Sequence, residues 1–252
     1  MKTTNPPFLL LRGLMREQRH WGDFPSVLQQ QFPNTEMMLL DIPGNGSLYQ
    51  LESPKTIAAM TESLRLQLQQ AGRVGQINLL ALSMGGMIAL DWMNRYPAEI
   101  NAGILVNTSV SRYAPFYQRL RWQCYGQFLT LCRQTPAKRE QSILQLTTNH
   151  QQHNAELLAN WQLWQQQQPV ALKNALHQII ASATFKCTQK PSQPLLIVTS
   201  KADRLVDYRC SVALHRAWNC AFEQHQSAGH DLPLDAPLWL SEVIKNWFIT
   251  DL

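Results

Sequence analysis

The sequence predicts an α/β domain: a mostly parallel sheet covered by helices, with a helical segment inserted before its last strands. Short runs rich in Leu, Ile and Val alternate with helix-length segments up to Asn107, and the alternation returns at Pro194. Such alternation implies right-handed crossovers between parallel strands. Between these stretches, residues 111–183 hold several helical segments and no convincing strand. The 252 residues suffice for one domain carrying an inserted cap.

Phe8-Leu9-Leu10-Leu11 reads as a buried strand ending at Arg12-Gly13, and residues 21–31 read as a helix. Residues 35–40 form a second strand. It stops at Asp41-Ile42-Pro43-Gly44-Asn45-Gly46-Ser47, a run of breakers that forces a loop and is most simply a tight structural turn. Residues 56–71 have helical periodicity, with Ile57, Met60, Leu64, and Leu66 or Leu68 near one face. A third strand at 77–82, a helix at 84–95 and a fourth strand at 102–107 follow. The core is assigned to residues 1–110 and 184–252, the cap to residues 111–183. The cap is rich in Gln, but Trp122, Tyr125, Phe128, Trp161 and Trp164 are interleaved with it, which argues for packing. The competing reading is a set of helices that merely covers the sheet. Beyond the cap come a strand at 194–200, a helix at 207–218, a short strand at 220–225, a loop at 227–231 and a helix at 236–248.

Composition excludes several classes. Apolar residues make up 45% of the chain, and eight Trp, eight Phe and six Tyr argue against disorder. The cysteines (Cys124, Cys132, Cys187, Cys210 and Cys220) are odd in number and form no CxxC pair, so reduced thiols are expected. Seven histidines include no HExxH and no His/Cys cluster, which indicates no metal site. The formal charge of +5 is spread over a chain in which only 15% of residues are charged. Without a basic-aromatic run it suggests no nucleic acid, and fits attraction of small anions better. At the N-terminus Arg12 interrupts the apolar run too early for a signal core, and no stretch approaches the roughly 20 apolar residues that span a bilayer. The expectation is a cytoplasmic protein without membrane association; nothing in the residues sets its oligomeric state.

The chemistry gathers at one edge of the predicted sheet. Ser83 ends the third strand, in Ala81-Leu82-Ser83-Met84-Gly85-Gly86. A serine hydroxyl becomes a nucleophile only on a sharp strand-to-helix turn, beside a base and an oxyanion site. Ala81 stands where glycine is usual in such a turn, and it too is small. Asp203 follows the strand at 194–200, and His230 follows the last strand. In an open parallel sheet, functional residues collect beyond the carboxyl ends of the strands. The order Ser, Asp, His is one of the convergent triad orders.

These pieces, with Leu10-Leu11-Arg12-Gly13, Asp41-Ile42-Pro43-Gly44-Asn45-Gly46 and Gly229-His230-Asp231, resemble the α/β-hydrolase superfamily over nearly the whole chain. The resemblance implies the α/β-hydrolase fold with a helical cap. It implies Ser83 as nucleophile, His230 as general base, Asp203 as its orienting partner, and the backbone N–H groups of Leu14 and Met84 as oxyanion donors. The implied activity is cleavage of a small or medium carboxylic ester through an acyl-enzyme, with no cofactor. A thioester substrate, carbon–carbon cleavage of an acidic substrate and a non-catalytic binding protein of the same fold are the alternatives.

Arg12 departs from the His-Gly usual after the first strand. It reads either as a charge near the strand end that serves solubility or a structural ion pair, or as a contact for a substrate carboxylate or phosphate. His20, Tyr113, Phe116 and Trp122 are further candidates for substrate binding, with Ser109 and Tyr117 also placed to border a pocket. Packing is the competing role for each, and His20 in particular suits packing where the following helix begins. Asp207 competes with Asp203 as the triad acid, although it suits a helix start. Asp231, adjoining His230, is expected to bind local backbone.

Overall fold

A computed structural model of the chain describes residues 5–73, 75–131 and 133–250, apart from the side chain of Phe128. Met1–Thr4, Cys132 and the Phe128 side chain, on which sequence expectations fell, lie outside the described residues. Six strands form one parallel sheet in the order β2-β1-β3-β4-β5-β6: β1 (Phe8–Leu11), β2 (Met37–Leu39), β3 (Ile77–Leu82), β4 (Ile100–Val106), β5 (Leu195–Ser200) and β6 (Ala221–His225). Every residue of β1, β3 and β5 is buried. That burial explains their largely apolar runs, because a parallel sheet is covered on both faces.

Helices α1 (Phe24–Gln31), α2 (Ile57–Gln70) and α3 (Met84–Arg95) alternate with the first four strands, and α9 (Arg209–Trp218), α10 (Leu232–Asp235) and α11 (Pro237–Thr250) accompany the last two. Successive side chains of β1 divide between two cores, as the period of a strand requires. Leu9 and Leu11 pack with Met60 and Leu64 of α2 and Ile88 and Trp92 of α3. Phe8 and Leu10 pack with Phe24 and Leu28 of α1 and Ile244 and Trp247 of α11. The start of α1 differs from the sequence expectation. Residues 18–21 form a separate 3-10 turn, closed by the Glu17–His20 capping box, and Gly22 at φ 55° breaks the chain before Phe24.

Between β4 and β5 the described residues contain helices and no strand: α4 (Phe116–Arg119), a 3-10 turn, α5 (Tyr125–Leu131), α6 (Pro136–Thr147), α7 (Ala155–Gln167) and α8 (Leu172–Thr184). Thr135 and Asn154 cap α6 and α7 with side-chain oxygens. The Asp41–Ser47 loop is tied to its surroundings as well as turning tightly. Asp41 accepts hydrogen bonds from the backbone N–H groups of Gln18 and Ser47, and Asn45 donates to the Arg16 carbonyl and accepts from Gln178 of α8. Cys124, Cys187, Cys210 and Cys220 are free thiols.

Candidate active site

Ser83 occupies the junction of β3 and α3 with φ 59° and ψ −119°, a conformation costly for any residue with a side chain. Its neighbours hold the turn closed. The Ser83 N–H donates to the Val106 carbonyl at 2.9 Å, and the Thr108 hydroxyl donates to the Ser83 carbonyl at 2.7 Å. A Cβ on Gly85 would lie 2.5 Å from the Leu11 carbonyl oxygen and 2.8 Å from that of Arg12, so only glycine lets α3 approach the end of β1. A Cβ on Gly13 would meet that of Ser83 at 3.0 Å. Ala81 is fully buried in β3 between Leu11 of β1 and Leu105 of β4, where its methyl group fits. Because α3 begins at Met84, the N–H groups of Met84 and Gly85 have no intrahelical acceptors, while that of Gly86 donates to the Ser83 carbonyl at 2.9 Å.

Asp203 and His230 come together from the loops after β5 and β6. The His230 Nδ1 lies 2.7 Å from the Asp203 Oδ2, and both side chains are almost wholly buried. The other oxygen of Asp203 accepts from the N–H groups of Leu205 and Val206 at 2.7 and 2.9 Å. These contacts fix the carboxylate and leave Nδ1 to carry the imidazole proton. Asp207 is engaged elsewhere, with Arg209 at 2.9 and 2.6 Å. Burial pushes the Asp207 carboxyl upward, but hydrogen bonds from Arg209 outweigh it and hold the group below the ordinary aspartate value.

Arg12 does not present a free cation to a ligand. Its two terminal nitrogens meet both oxygens of Asp231 at 3.0 and 2.5 Å, and its guanidinium lies 5.0 Å from the centroid of Trp21. The Asp231 carboxylate therefore holds a side chain from the other end of the chain instead of the local backbone expected for it, and makes no side-chain cap on the short helix that follows. His20 is buried between the Glu17 turn and the rings of Trp161 and Trp164, and lines neither cavity at Ser83. Burial above all, then the charges of Arg16 and Arg12, hold its imidazole well below the ordinary histidine range. Tyr113 packs edge-on against Trp218 and accepts its indole N–H at 3.0 Å, away from those cavities. Trp122 is largely exposed and lines neither. Phe116 does reach the site.

Ser83 lines two cavities, whose walls share Leu14 and Leu205. The larger, of about 350 Å³, is mainly apolar, with Met87, Phe116, Tyr125, Ile179 and Val206 in its walls. The smaller, of about 70 Å³, contains Arg12, Arg16, His230 and Asp231, and cap residues Leu131, Ile143 and Leu146.

Several residues that organise the site carry no distinguishing sequence signal. Gln178 is fully buried: its carbonyl accepts from the Met15 N–H at 2.7 Å, and its amide donates to Asn45 and Ser53. It thereby fixes the loop that carries Leu14, where Met15 has φ 56°. Asn107 at the end of β4 donates to the His230 carbonyl at 2.8 Å and accepts from the Ser200 N–H at 2.8 Å. Asp235 accepts from the N–H groups of Gly229 and, in the insertion, Asn149. No group of three or more metal-ligating side chains occurs among the described residues, and none of their helices is long and apolar enough to cross a membrane.

Residues 46–235 match the family model described as serine aminopeptidase, S33. A curated relative, the biotin biosynthesis bifunctional protein BioHC of Teredinibacter turnerae, is 23% identical over 257 residues, and the match covers 95% of this chain. The chain spans 44% of the length of that protein. Among solved structures, an esterase from Thermogutta terrifontis superposes with a TM-score of 0.75 at 18% identity, over 98% of this chain and 90% of that one. A serine hydrolase from Cycloclasticus zankles reaches 0.78 at 14% identity, over 99% and 92%. These identities show a common fold. The family match spans most of the chain, including the Ser83 turn, Asp203 and His230, so the chain belongs to the serine aminopeptidase S33 family of α/β-hydrolases.

Proposed function

We propose that the protein hydrolyses carboxylic esters, with Ser83 as nucleophile, His230 as general base and Asp203 as the residue that orients it. The observation that carries this reading is the buried 2.7 Å contact between His230 and Asp203, in a site whose wall includes the strained Ser83 turn. With Nδ1 committed to Asp203, Nε2 is the basic nitrogen. It accepts the Ser83 proton as Oγ attacks the acyl carbon, and Asp203 stabilises the resulting imidazolium. The Leu14 and Met84 N–H groups receive the oxyanion, where one donor is worth about 3 kcal/mol in the transition state. The imidazolium then protonates the leaving alcohol, and water repeats the cycle on the acyl-enzyme. In this reading residues 111–183 are a cap closing the site over a core of residues 1–110 and 184–252.

The apolar walls of the larger cavity suit an acyl chain of medium length. An aminopeptidase substrate would bring an ammonium group that needs a carboxylate. The carboxylate in the cavity walls is Asp231, which Arg12 already holds. The same pair removes the main support for an acidic substrate. Similarity to a biotin biosynthesis protein leaves a biosynthetic ester among the candidates.

A fluorophosphonate probe together with a panel of p-nitrophenyl acyl esters tests the reading. Wild type becomes labelled and hydrolyses the esters, and Ser83→Ala abolishes both. Labelling that survives in Ser83→Ala, or a wild type inert to probe and panel alike, overturns it.

A further inference from the structure

Helix α8 is amphipathic with its faces inverted. Asn174, His177 and Gln178 are buried against the protein. Leu172, Leu176, Ile179 and Ile180, spaced to share the opposite face, are 38% to 67% exposed. The buried face locks this orientation. Asn174 accepts from the Ser53 N–H and donates to the Leu51 carbonyl, each at 3.0 Å, and the His177 Nδ1 lies 2.9 Å from the Ser53 carbonyl. Gln178 adds its contacts to Met15, Asn45 and Ser53. Rolling α8 to hide its leucines would take the acceptors from the Met15 and Ser53 N–H groups, and a buried donor left unpaired is costly.

The exposed face runs into the site. Ile179 lines the larger cavity at Ser83 together with Phe116 of α4, which is 73% exposed. Arg119 of α4 donates to the Ser182 and Ala183 carbonyls near the end of α8 and so holds the two helices together. Exposed apolar surface of this extent marks a contact with a partner or a membrane. Charge decides between them. Residues 111–183 hold seven Lys and Arg against Glu140 and Glu156, so the whole formal charge of +5 lies in the insertion and the rest of the chain is balanced. A second copy laid on the same face would set that charge against itself. An anionic bilayer offers opposite charge at its surface and apolar chains beneath it. Tyr117 and Trp122, both exposed, suit that boundary. A bilayer also gives an apolar chain a continuous path past Ile179 and Phe116 into the cavity, which favours it over an acidic protein.

We propose that the α4 and α8 face of the insertion docks on an anionic phospholipid bilayer, from which the apolar part of an ester passes into the larger cavity. The sequence expectation of no membrane association rested on the lack of a spanning segment, and a surface contact needs none. The docking stands apart from the reading of Ser83 as an ester-cleaving nucleophile; the delivery of an ester rests on it.

Co-sedimentation with vesicles of phosphatidylcholine, alone or mixed with phosphatidylglycerol, tests the docking. Wild type should bind the mixed vesicles about tenfold or more tighter than the neutral ones, and more weakly as salt is raised. Leu176→Ser/Ile180→Ser alters two exposed residues that line neither cavity at Ser83. It should weaken binding about tenfold or more and leave the hydrolysis of soluble short-chain esters unchanged. Trp122→Ser should weaken binding as well. A long-chain p-nitrophenyl ester carried in the mixed vesicles tests delivery, and wild type should hydrolyse it faster than the double variant does. Equal binding to both kinds of vesicle, or unchanged binding in the variants, overturns the docking. So does a wild type that ignores vesicles: as a monomer it points to an acidic protein, and as a dimer broken by the double variant it points to a second copy. Equal hydrolysis of the vesicle-borne ester by wild type and double variant overturns the delivery. Binding without hydrolysis of any ester overturns the Ser83 reading and leaves the docking standing.

Discussion

Arg12 and Asp231 face each other through paired contacts of 3.0 and 2.5 Å, joining the residue after β1 to the residue after His230 across 219 positions of chain. Both side chains are nearly inaccessible, at 3% and 4%. The pair clamps the His230 loop to the strand end that also carries Gly13 and Leu14.

Removing one partner of this clamp leaves the other charge buried. Asp231→Ala should lower stability by about 3–5 kcal/mol, whereas Arg12→Met/Asp231→Leu should recover most of that loss. Denaturant unfolding of the set checks it. Arg12→Ala should reduce turnover of acidic and neutral esters by similar factors, since Arg12 acts on the fold of the site. A rise in KM confined to acidic esters would return Arg12 to substrate recognition.

Asp203→Asn should fold normally, because its amide oxygen can still accept from the Leu205 and Val206 N–H groups. The same change turns the amide group toward His230 and favours the wrong tautomer. A fall in kcat of about 10⁴-fold is expected with little change in unfolding temperature. Steady-state kinetics beside thermal melts separate the two effects, and an equally deep loss in Asp207→Asn would contradict the assignment of the acid.

Gly85→Ala drives a methyl group against the backbone carbonyls of Leu11 and Arg12, which have no rotamer to yield. Destabilisation of about 1–3 kcal/mol is expected, with a fall in kcat as the Ser83 turn moves. Gly126 offers the control, since nothing lies within 4 Å of its added Cβ. Parallel melts and ester assays of the two variants should therefore diverge.

His20 makes stability depend on pH. Its folded-state pKa lies well below the unfolded value of 6.5, with burial the main cause. Below about pH 6.5 the unfolded chain takes up a proton that the folded chain resists. The stability is therefore full above that pH and is lost as pH falls below it. His225, also depressed by burial first and then by His150, acts in the same direction. Replacing His20 with Asn should flatten the fall in unfolding temperature between about pH 7 and 5. An identical slope in wild type and variant would remove His20 as the cause.

The parallel strands were legible because burial on both faces writes a nearly continuous apolar run, as in Ile77-Asn78-Leu79-Leu80-Ala81-Leu82, where Asn78 alone is polar. The Ser83 turn was legible because a sharp strand-to-helix junction needs small residues at fixed spacing. The break before Phe24 was harder to see: residues 21–31 keep an apolar period through Gly22, and only its positive φ shows where the helix cannot continue.

The sequence by itself determined the alternation of strands and helices, the position of the insertion, and the set Ser83, Asp203 and His230 on one edge of the sheet. Those features rest on local periodicity and on chain order. Only the tertiary structure decided that Arg12 belongs to Asp231, that Arg16 meets Glu140 of α6, and that Gln178 holds the Met15 loop. Each of these is a meeting of residues far apart in the chain. A buried charge or amide takes whichever partner the packing brings within about 3 Å, and no periodicity records that distance.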